Sequence, residues 1–167
     1  SNSSEGSLAD HKATVFSLSG QVQVLKSGTG QWTALKENGV IEEGDRVRTG
    51  DNAYAEITYD DYFLNYVRLD ENSEMNFESI ETTDVYLSAG KLFNHLNGLV
   101  EDSEYHVSTP TSVATVRGTN FVREYDPENV SDATSVVEGI VNVAPLLDGQ
   151  ADFSQAQNIK KDERLHF

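Results

Sequence analysis

The stretch Gly50-Asp51-Asn52-Ala53-Tyr54-Ala55-Glu56-Ile57-Thr58 decides the fold class. From Ala53 onward, every second residue is small or branched and apolar, and the residues between them carry polar groups. This period of two is typical of a β-strand that buries one face. The Gly-Asp-Asn triplet before the strand predicts a tight turn, because glycine and asparagine tolerate the positive φ that such turns need.

The same alternation recurs along most of the chain. It is found in the segments that hold Val22 and Val24, Val67 and Leu69, Met75 and Phe77, Val85 and Leu87, and Val141 and Val143. Turn signals rich in glycine, asparagine and aspartate separate these segments. Many short strands at close spacing predict an all-β fold with little or no helix, either a short β-solenoid-like stack or a rolled or sandwiched sheet.

The C-terminal segment permits two interpretations. Residues Ser154 to Leu165 could form a helix that begins with a capping box of Ser154 and Gln157. The order Gly-x-Val-x-Val, then apolar-x-x-Gly/Asp-acidic-Arg-apolar, however, occurs both over 20–47 and over 139–165. Such a repeat indicates one supersecondary unit used twice. It favours strand–turn–strand over 159–167.

Charge and composition exclude several classes of function. The chain has 167 residues, enough for one domain, with 12 Lys and Arg against 28 Asp and Glu, and therefore a formal net charge of −16. Such acidity, without a basic patch, disfavours binding to nucleic acid or to anionic lipid surfaces. The apolar runs are too short to span a membrane. The absence of cysteine excludes a thiol nucleophile, a disulfide framework and any cysteine-ligated metal.

No pattern of catalytic residues is present. The sequence lacks a Gly-x-Ser-x-Gly elbow, a His-Glu-x-x-His motif, a phosphate-binding loop and a dinucleotide fingerprint. Its four histidines have no metal-ligand spacing. The acidic stretch 126–132 offers oxygen ligands without the spacing of a helix–loop–helix calcium site. It is interpreted as a solvated turn, with a calcium ion bound by the loop as the alternative. We therefore expect no catalytic residue, metal or cofactor, and a protein that is not an enzyme.

The most distinctive segment is Tyr105 to Val122. Pro110 belongs at an edge or a turn, and Gly118 indicates a bulge or a close backbone approach. Arg117 is expected to be half-buried and held by a carboxylate such as Asp45 or Glu138, which would pin two segments together.

Aromatic residues offer an alternative binding surface. It would stack on polysaccharide or peptidoglycan, as in an envelope structural or adhesive protein. Tyr54 and Tyr62 fall on the polar-facing positions of their segments. The candidate residues of this surface are Trp32, Tyr54, Tyr59, Tyr62 and Tyr66.

Several ordered segments resemble the extracytoplasmic domain of the FecR family. They are residues 47–57, 67–73, 89–92, 107–121 and 138–143, and the most specific is the run from Thr-Pro to Val-Arg-Gly-Thr-Asn-Phe. The family-motif residues are interpreted as structural. They are Thr109, Pro110, Val116, Arg117, Gly118, Thr119 and Phe121.

The resemblance implies a non-catalytic binding or signal-relay module of the bacterial cell envelope. Members that regulate siderophore uptake receive a signal from a TonB-dependent transporter and pass it to a sigma factor. The expected partner is an envelope protein or a glycan, and the expected location is periplasmic or at the cell surface, with anchoring through a segment before Ser1. The resemblance divides the chain into a flexible lead or tether at 1–12, a FecR-like β domain at 13–145 and a C-terminal extension of that domain at 146–167.

The sequence also departs from the regulator pattern. It shows no cytoplasmic helical segment, no transmembrane helix and no small α/β domain after the β domain. Residues Asp60 to Tyr66 replace the usual short Asp-Gly-Ser turn. The family's fold is therefore expected to carry over better than its role in sigma-factor regulation.

Overall fold

The structure is a computed structural model that describes residues 12–80, 83–99 and 103–167. Residues 1–11 of the expected lead lie outside this part, and Lys12 already belongs to the first strand. The described residues form seventeen strands and one short 3₁₀ helix, η1 (Phe153–Gln155). The first nine strands are β1 (Lys12–Ser19), β2 (Val22–Leu25), β3 (Trp32–Ala34), β4 (Val40–Glu42), β5 (Arg46–Thr49), β6 (Tyr54–Thr58), β7 (Asn65–Leu69), β8 (Glu74–Ser79) and β9 (Asp84–Leu96). The others are β10 (Tyr105–Ser108), β11 (Ser112–Val116), β12 (Asn120–Asp126), β13 (Ser131–Glu138), β14 (Ile140–Leu147), β15 (Gln150–Ala151), β16 (Gln157–Lys160) and β17 (Arg164–His166).

The strands pair into two layers that share β9. The first layer has the order β4-β1-β6-β7-β9-β12-β13-β17. The second has the order β3-β2-β5-β8-β9-β10-β11-β14-β16. Neighbours are antiparallel except β9 and β10, which are parallel. The layers join into one sheet that does not close into a barrel, which confirms the all-β prediction.

Strand β9 passes from the second layer to the first. Its initial residues pair with β8 and β10, and its later residues pair with β7 and β12. The change of layer occurs around Gly90, whose φ is +89°. A Cβ at this position would lie 2.0 Å from the Ser73 Oγ atom, so only glycine fits here.

Alternate residues of both layers face one shared core. Ile57, Val67 and Leu69 enter it from the first layer, and Met75 and Phe77 enter it from the second. Each of these side chains is fully buried, as the period of two in the sequence predicts.

The sequence repeat is real, but its strand pairing is exchanged between the two copies. In the first copy the strand before the glycine, β1, pairs with the strand of Ile41, and β2 pairs with β5. In the second copy the strand after the glycine, β14, pairs with the strand of Ile159, and β13 pairs with β17. The expectation of one unit used twice is therefore wrong. The two copies pair differently because the connections within them differ. In the first copy the chain passes from β3 of the second layer to β4 of the first layer, which contains Ile41. In the second copy β15 and η1 lead the chain back to the second layer, where β16 pairs with β14.

The predicted strand–turn–strand at the C-terminal end is confirmed. Strands β16 and β17 flank a turn at Asp162, whose φ is +68°. The helix considered for this segment is reduced to the three residues of η1.

Candidate functional site

The Thr-Pro segment of the family motif encloses a buried carboxylate. The turn between β10 and β11 directs three hydroxyl groups at Asp132 of β13. Thr109, Thr111 and Ser112 donate to the Asp132 Oδ2 atom at 2.9, 2.5 and 2.6 Å. These three hydroxyl groups hold the Asp132 side chain against the turn between β10 and β11.

A buried guanidinium faces this carboxylate. Arg123 of β12 is 0% exposed, and its Nη1 atom lies 3.6 Å from Asp132 Oδ1. Nη1 donates to Thr134 Oγ1 at 2.7 Å, and Nη2 donates to Ser112 Oγ at 2.8 Å and to the Val107 carbonyl at 3.2 Å. Burial lowers the pKa of Arg123 to about 10, and the charge of Asp132 opposes this shift. We call Arg123, Asp132, Thr109, Thr111, Ser112 and Thr134 the buried ionic centre.

The buried ionic centre connects the two layers. Arg123 belongs to β12 of the first layer, whereas Val107 and Ser112 belong to β10 and β11 of the second. Because Arg123 and Asp132 have almost no exposed surface, a ligand in solvent does not reach them. The arrangement can hold the layers together but presents no accessible reactive group.

The expectation for Arg117 is wrong. Its side chain is 70% exposed and lies 3.5 Å from Glu104 Oε1. Asp45 instead accepts from the Ser27 and Glu42 backbone N–H groups at 2.9 and 2.8 Å and forms an ion pair with Lys26. The reason is strand alternation: Val116 faces the core, so its neighbour at the end of β11 faces solvent.

The exposed part of the motif lines an open groove on the outer side of the second layer. The exposed Arg117 and Gly118 form part of its wall together with the buried Thr119, and the volume of the groove is about 650 Å³. His106 and Glu104 lie beside Arg117 in this groove, with the His106 Nε2 atom 3.2 Å from Glu104 Oε2. The motif thus has a buried part that lies between the two layers and an exposed part that lines a concave surface.

The five aromatic candidates do not form one surface. Trp32 lies on β3 of the second layer and Tyr54 on β6 of the first, and each ring is covered by an arginine guanidinium 4.0 Å from its centroid. Tyr59 is buried, and its hydroxyl lies 2.5 Å from that of Tyr105 in a hydrogen bond. Burial raises the pKa of both tyrosines above the ordinary value of 10.0. A role for Tyr59 in a stacking surface is therefore wrong.

Of the other two candidates, Tyr66 belongs to a cluster of packed rings that the sequence does not suggest, and Tyr62 lies on the same loop as Phe63 of that cluster. Phe16 packs edge-on against Phe63 and Tyr66, with ring centroids 5.0 and 5.6 Å apart. Tyr66 also stacks on His95 at 4.5 Å. Tyr62 is 81% exposed, and Phe63 and Leu64 are about half exposed. We call Phe16, Tyr62, Phe63, Leu64 and Tyr66 the aromatic patch.

The loop that carries the patch is fixed by one side chain. Asp60 Oδ1 accepts from the Tyr62 and Leu64 N–H groups at 2.9 and 3.1 Å, and Asp60 Oδ2 accepts from the Asn65 N–H at 2.8 Å. Phe63 has a φ of +57°, a conformation that is rare for a bulky residue. Such strained positions concentrate at functional sites. The loop therefore presents its exposed side chains in one defined arrangement.

The sequence contains a signal for the buried Arg123 but none for the ring contacts of Phe16. Arg123 alternates with Phe121 and Tyr125, so the period of two places it on the buried face. The contacts of Phe16 with Phe63 and Tyr66 join segments about fifty residues apart, and no local pattern predicts them.

Metal and membrane features are absent from the described residues. Across 12–80, 83–99 and 103–167, no group of three or more His, Cys, Asp or Glu side chains is arranged to hold a metal ion. Within the same ranges, no helix has both the length and the apolar composition that a membrane crossing requires.

Comparisons with known proteins were made with the sequence and with the fold. Two crystal structures of a candidate anti-sigma factor from Parabacteroides distasonis are similar to this chain, with TM-scores of 0.58 and 0.57 and identities of 17% and 16%. Each match covers 72% of this chain and 53% of the other, so this chain spans about half the length of those structures. At this identity the similarity shows a shared fold. The search of curated proteins finds no match.

The family comparison covers the segments that form β5 to β14. Residues 45–142, more than half of the chain, match the family described as FecR protein. This range contains the buried ionic centre, the exposed motif residues and the loop of the aromatic patch. The chain belongs to the FecR family, whose members act in signalling and regulation.

Proposed function

We propose that this protein is a non-catalytic, extracytoplasmic signal-relay module that binds an envelope protein through its aromatic patch. The observation that carries the proposal is the patch itself: exposed aromatic side chains on an ordered loop within a FecR-family fold. The loop occupies the position at which this sequence departs from the family pattern. Partner choice would then be set by a feature particular to this chain.

The physical properties of the patch favour a protein partner. Large exposed aromatic residues are enriched at protein interfaces, where tyrosine often contributes much of the binding energy. The Asp60 hydrogen bonds order the loop before binding. Binding then costs less conformational entropy than it would with a mobile loop.

The non-catalytic assignment is supported by the buried ionic centre. Asp132 Oδ2 and the two terminal nitrogens of Arg123 bond to hydroxyl and carbonyl groups of the fold, and both side chains lie away from solvent. A general acid or base must come within hydrogen-bond reach of its substrate. Because the Asp132 carboxylate and the Arg123 guanidinium are buried, neither can come within hydrogen-bond distance of a substrate in solvent.

The proposed extracytoplasmic location rests on membership of the FecR family. The proposed extent of the domain rests on the pairing of its last strands. The proposal that 146–167 continues the β domain at 13–145 is supported by two strand pairings, β16 with β14 and β17 with β13. The described C-terminal residues thereby extend both layers. Treatment of intact and permeabilised cells with a protease that does not cross membranes tests the location.

Photo-crosslinking in the native bacterium tests the partner. A benzoylphenylalanine residue replaces Tyr62 in one strain and the exposed Gln150 of β15 in a control strain. The proposal predicts one discrete protein adduct from position 62 that is absent from position 150 and is lost in the Leu64→Ala background. Equal adducts at both positions, or none at position 62, would contradict it.

A further inference from the structure

We infer that the groove on the outer side of the second layer is a binding site for a neutral oligosaccharide. The inference goes beyond the proposed function, because the groove and the aromatic patch lie on different layers. It rests on a row of polar side chains that strand register brings together, and on the walls that enclose this row.

Strand register aligns the row. His106 of β10 pairs with Thr115 of β11, Thr115 pairs with Asn142 of β14, and Asn142 pairs with Asn158 of β16. The row therefore crosses four adjacent strands. The residues on both sides of His106, Thr115 and Asn142 are buried, and so is Ile159 beside Asn158, so these four side chains point outward. Neighbouring strands lie about 4.8 Å apart, a separation comparable with the length of one pyranose ring.

The row has the chemistry that a sugar requires. Hydroxyl groups donate and accept hydrogen bonds, so their best partners are side chains that also do both. The Asn142 amide nitrogen donates to Asn158 Oδ1 at 2.9 Å. Among the described residues, this bond leaves Asn142 Oδ1 and Asn158 Nδ2 without another protein partner, and both residues line the groove. Thr115 adds a hydroxyl between Asn142 and His106.

Apolar walls flank the polar row. Phe153 of η1 is 67% exposed and Ile140 is 54% exposed, and both line the groove. The η1 turn is held over β14 by the Asp152 N–H, which donates to the Pro145 carbonyl at 2.8 Å. An exposed aromatic ring beside a row of amides can contact the C–H face of a sugar while the amides bind its hydroxyl groups.

The charges at the groove favour a neutral ligand over a polyanion. Glu104 lies between His106 Nε2 at 3.2 Å and Arg117 Nη2 at 3.5 Å, so the arginine does not act as an isolated cation. Asp84 Oδ1 lies 2.8 Å from His106 Nδ1 at the end of the row. An anionic polymer would meet both carboxylates and the formal net charge of −16.

The position of the row on the sheet disfavours an extended peptide. A peptide that adds to a sheet does so at an edge, where backbone N–H and C=O groups are unpaired. In β10, β11 and β14 those groups are already bonded to strands on both sides. At these three strands the groove therefore contacts a ligand through side chains. Strand β16, which carries Asn158, is the edge of the layer, and the randomised decapeptides below test peptide addition there.

Titration followed by amide-resonance shifts tests the inference. The probes are cellohexaose, laminarihexaose, xylohexaose, mannohexaose, chitohexaose, hexagalacturonate and a randomised decapeptide mixture. We expect at least one neutral hexasaccharide to shift the resonances of Thr115, Asn142 and Asn158. The Asn142→Ala/Asn158→Ala double variant should weaken this binding about tenfold or more, because two side-chain hydrogen-bonding sites are lost.

Further variants separate this inference from the proposed function. Thr115→Val removes one hydroxyl group of the row and leaves Asn142 and Asn158 unchanged. Phe153→Ala removes the aromatic ring from the wall of the groove. Each variant should weaken binding of the sugar. Tyr62→Ala removes an exposed aromatic side chain outside the groove and should leave sugar binding unchanged. Leu64→Ala should likewise leave sugar binding unchanged, although it abolishes the protein adduct from position 62. The inference is overturned if no neutral hexasaccharide shifts the row, if only hexagalacturonate or the peptides shift it, or if Tyr62→Ala weakens the sugar as much as Phe153→Ala does.

Discussion

Arg123 is a fully buried charge that is stabilised by groups from both layers. Its guanidinium donates hydrogen bonds to Thr134, Ser112 and Val107, and it lies 3.6 Å from the Asp132 carboxylate. Loss of one member of a buried ion pair leaves the other charge without compensation, which is more costly than loss of an exposed pair.

Arg123→Ala should therefore lower the free energy of unfolding by about 3–5 kcal/mol. Urea denaturation of the purified protein measures this change. The matched control is Arg117→Ala, which removes an exposed arginine near one carboxylate and should cost at most about 1 kcal/mol. Equal losses in the two variants would show that the buried ionic centre does not hold the layers together.

The buried tyrosine pair predicts a loss of stability in alkali. Burial raises the folded-state pKa of Tyr59 and Tyr105 above the unfolded value of 10.0. Their contribution is therefore complete below pH 10 and is lost as the pH rises above it, because the unfolded chain then releases protons that the folded chain retains. Burial lowers the pKa of Arg123 from 12.5 to about 10, which acts in the opposite direction above pH 10.

The Tyr59→Phe variant separates the two effects, since Arg123 is common to both proteins. Guanidinium denaturation between pH 9 and pH 11 should show a shallower decline for the variant than for the parent chain. The difference in slope should approach about 1.4 kcal/mol per pH unit for one tyrosine. Parallel declines would contradict the proposed cause.

At the scale of elements, β9 is the strand on which the two layers depend. It pairs on both sides in both layers, and it changes layer around Gly90. Gly90 must be glycine for two separate reasons: its φ is positive, and Ser73 lies too close for a Cβ atom. Gly28 has the same sign of φ, at +79°, but a Cβ atom added there would have no neighbouring atom within 4 Å.

Gly90→Ala should therefore destabilise the protein more than Gly28→Ala does. The shared backbone strain costs about 1–2 kcal/mol in each variant, and overpacking against Ser73 adds about 1–3 kcal/mol at Gly90 alone. Thermal and urea denaturation of the two variants compare these costs. If Gly28→Ala is as damaging as Gly90→Ala, the close approach of Ser73 to β9 is not a determinant of the fold.

Local patterns in the sequence predict the strands but not how they pair. The alternation through Ala53, Ala55 and Ile57 correctly indicates strands with one buried face, and the C-terminal strand–turn–strand follows from the repeat. The exchanged pairing of the repeat depends on which layer the chain enters after β3 and after η1. That choice is made by contacts distant in sequence, so a local pattern does not contain it.

In the candidate sites, too, local sequence patterns predict some features and miss those that depend on the folded chain. Strand alternation is sufficient to place Arg123 inside and Arg117 outside, although the prediction for Arg117 is a half-buried side chain. Tyr59 and Tyr62 are only three residues apart, yet one reaches Tyr105 in the core and the other faces solvent. The turn at Asp60 separates them, and its hydrogen bonds form only when the loop is folded.

At the scale of the whole molecule, the stabilising contacts and the two proposed recognition surfaces occupy different places. The buried ionic centre and the shared core hold the layers, whereas the aromatic patch and the groove lie on the outer surfaces. Changes at the patch should therefore alter signalling without altering folding.

The most direct test compares transcript levels in the native bacterium carrying the parent gene, a deletion of the gene, or the Tyr62→Ala/Leu64→Ala variant. A Gln150→Ala strain serves as the control, and immunoblots confirm that every variant accumulates to the parent level. The account predicts that the patch variant reproduces the transcript changes of the deletion while the control matches the parent. A deletion without transcript changes, or a patch variant that matches the parent, would contradict a signal-relay role for this surface.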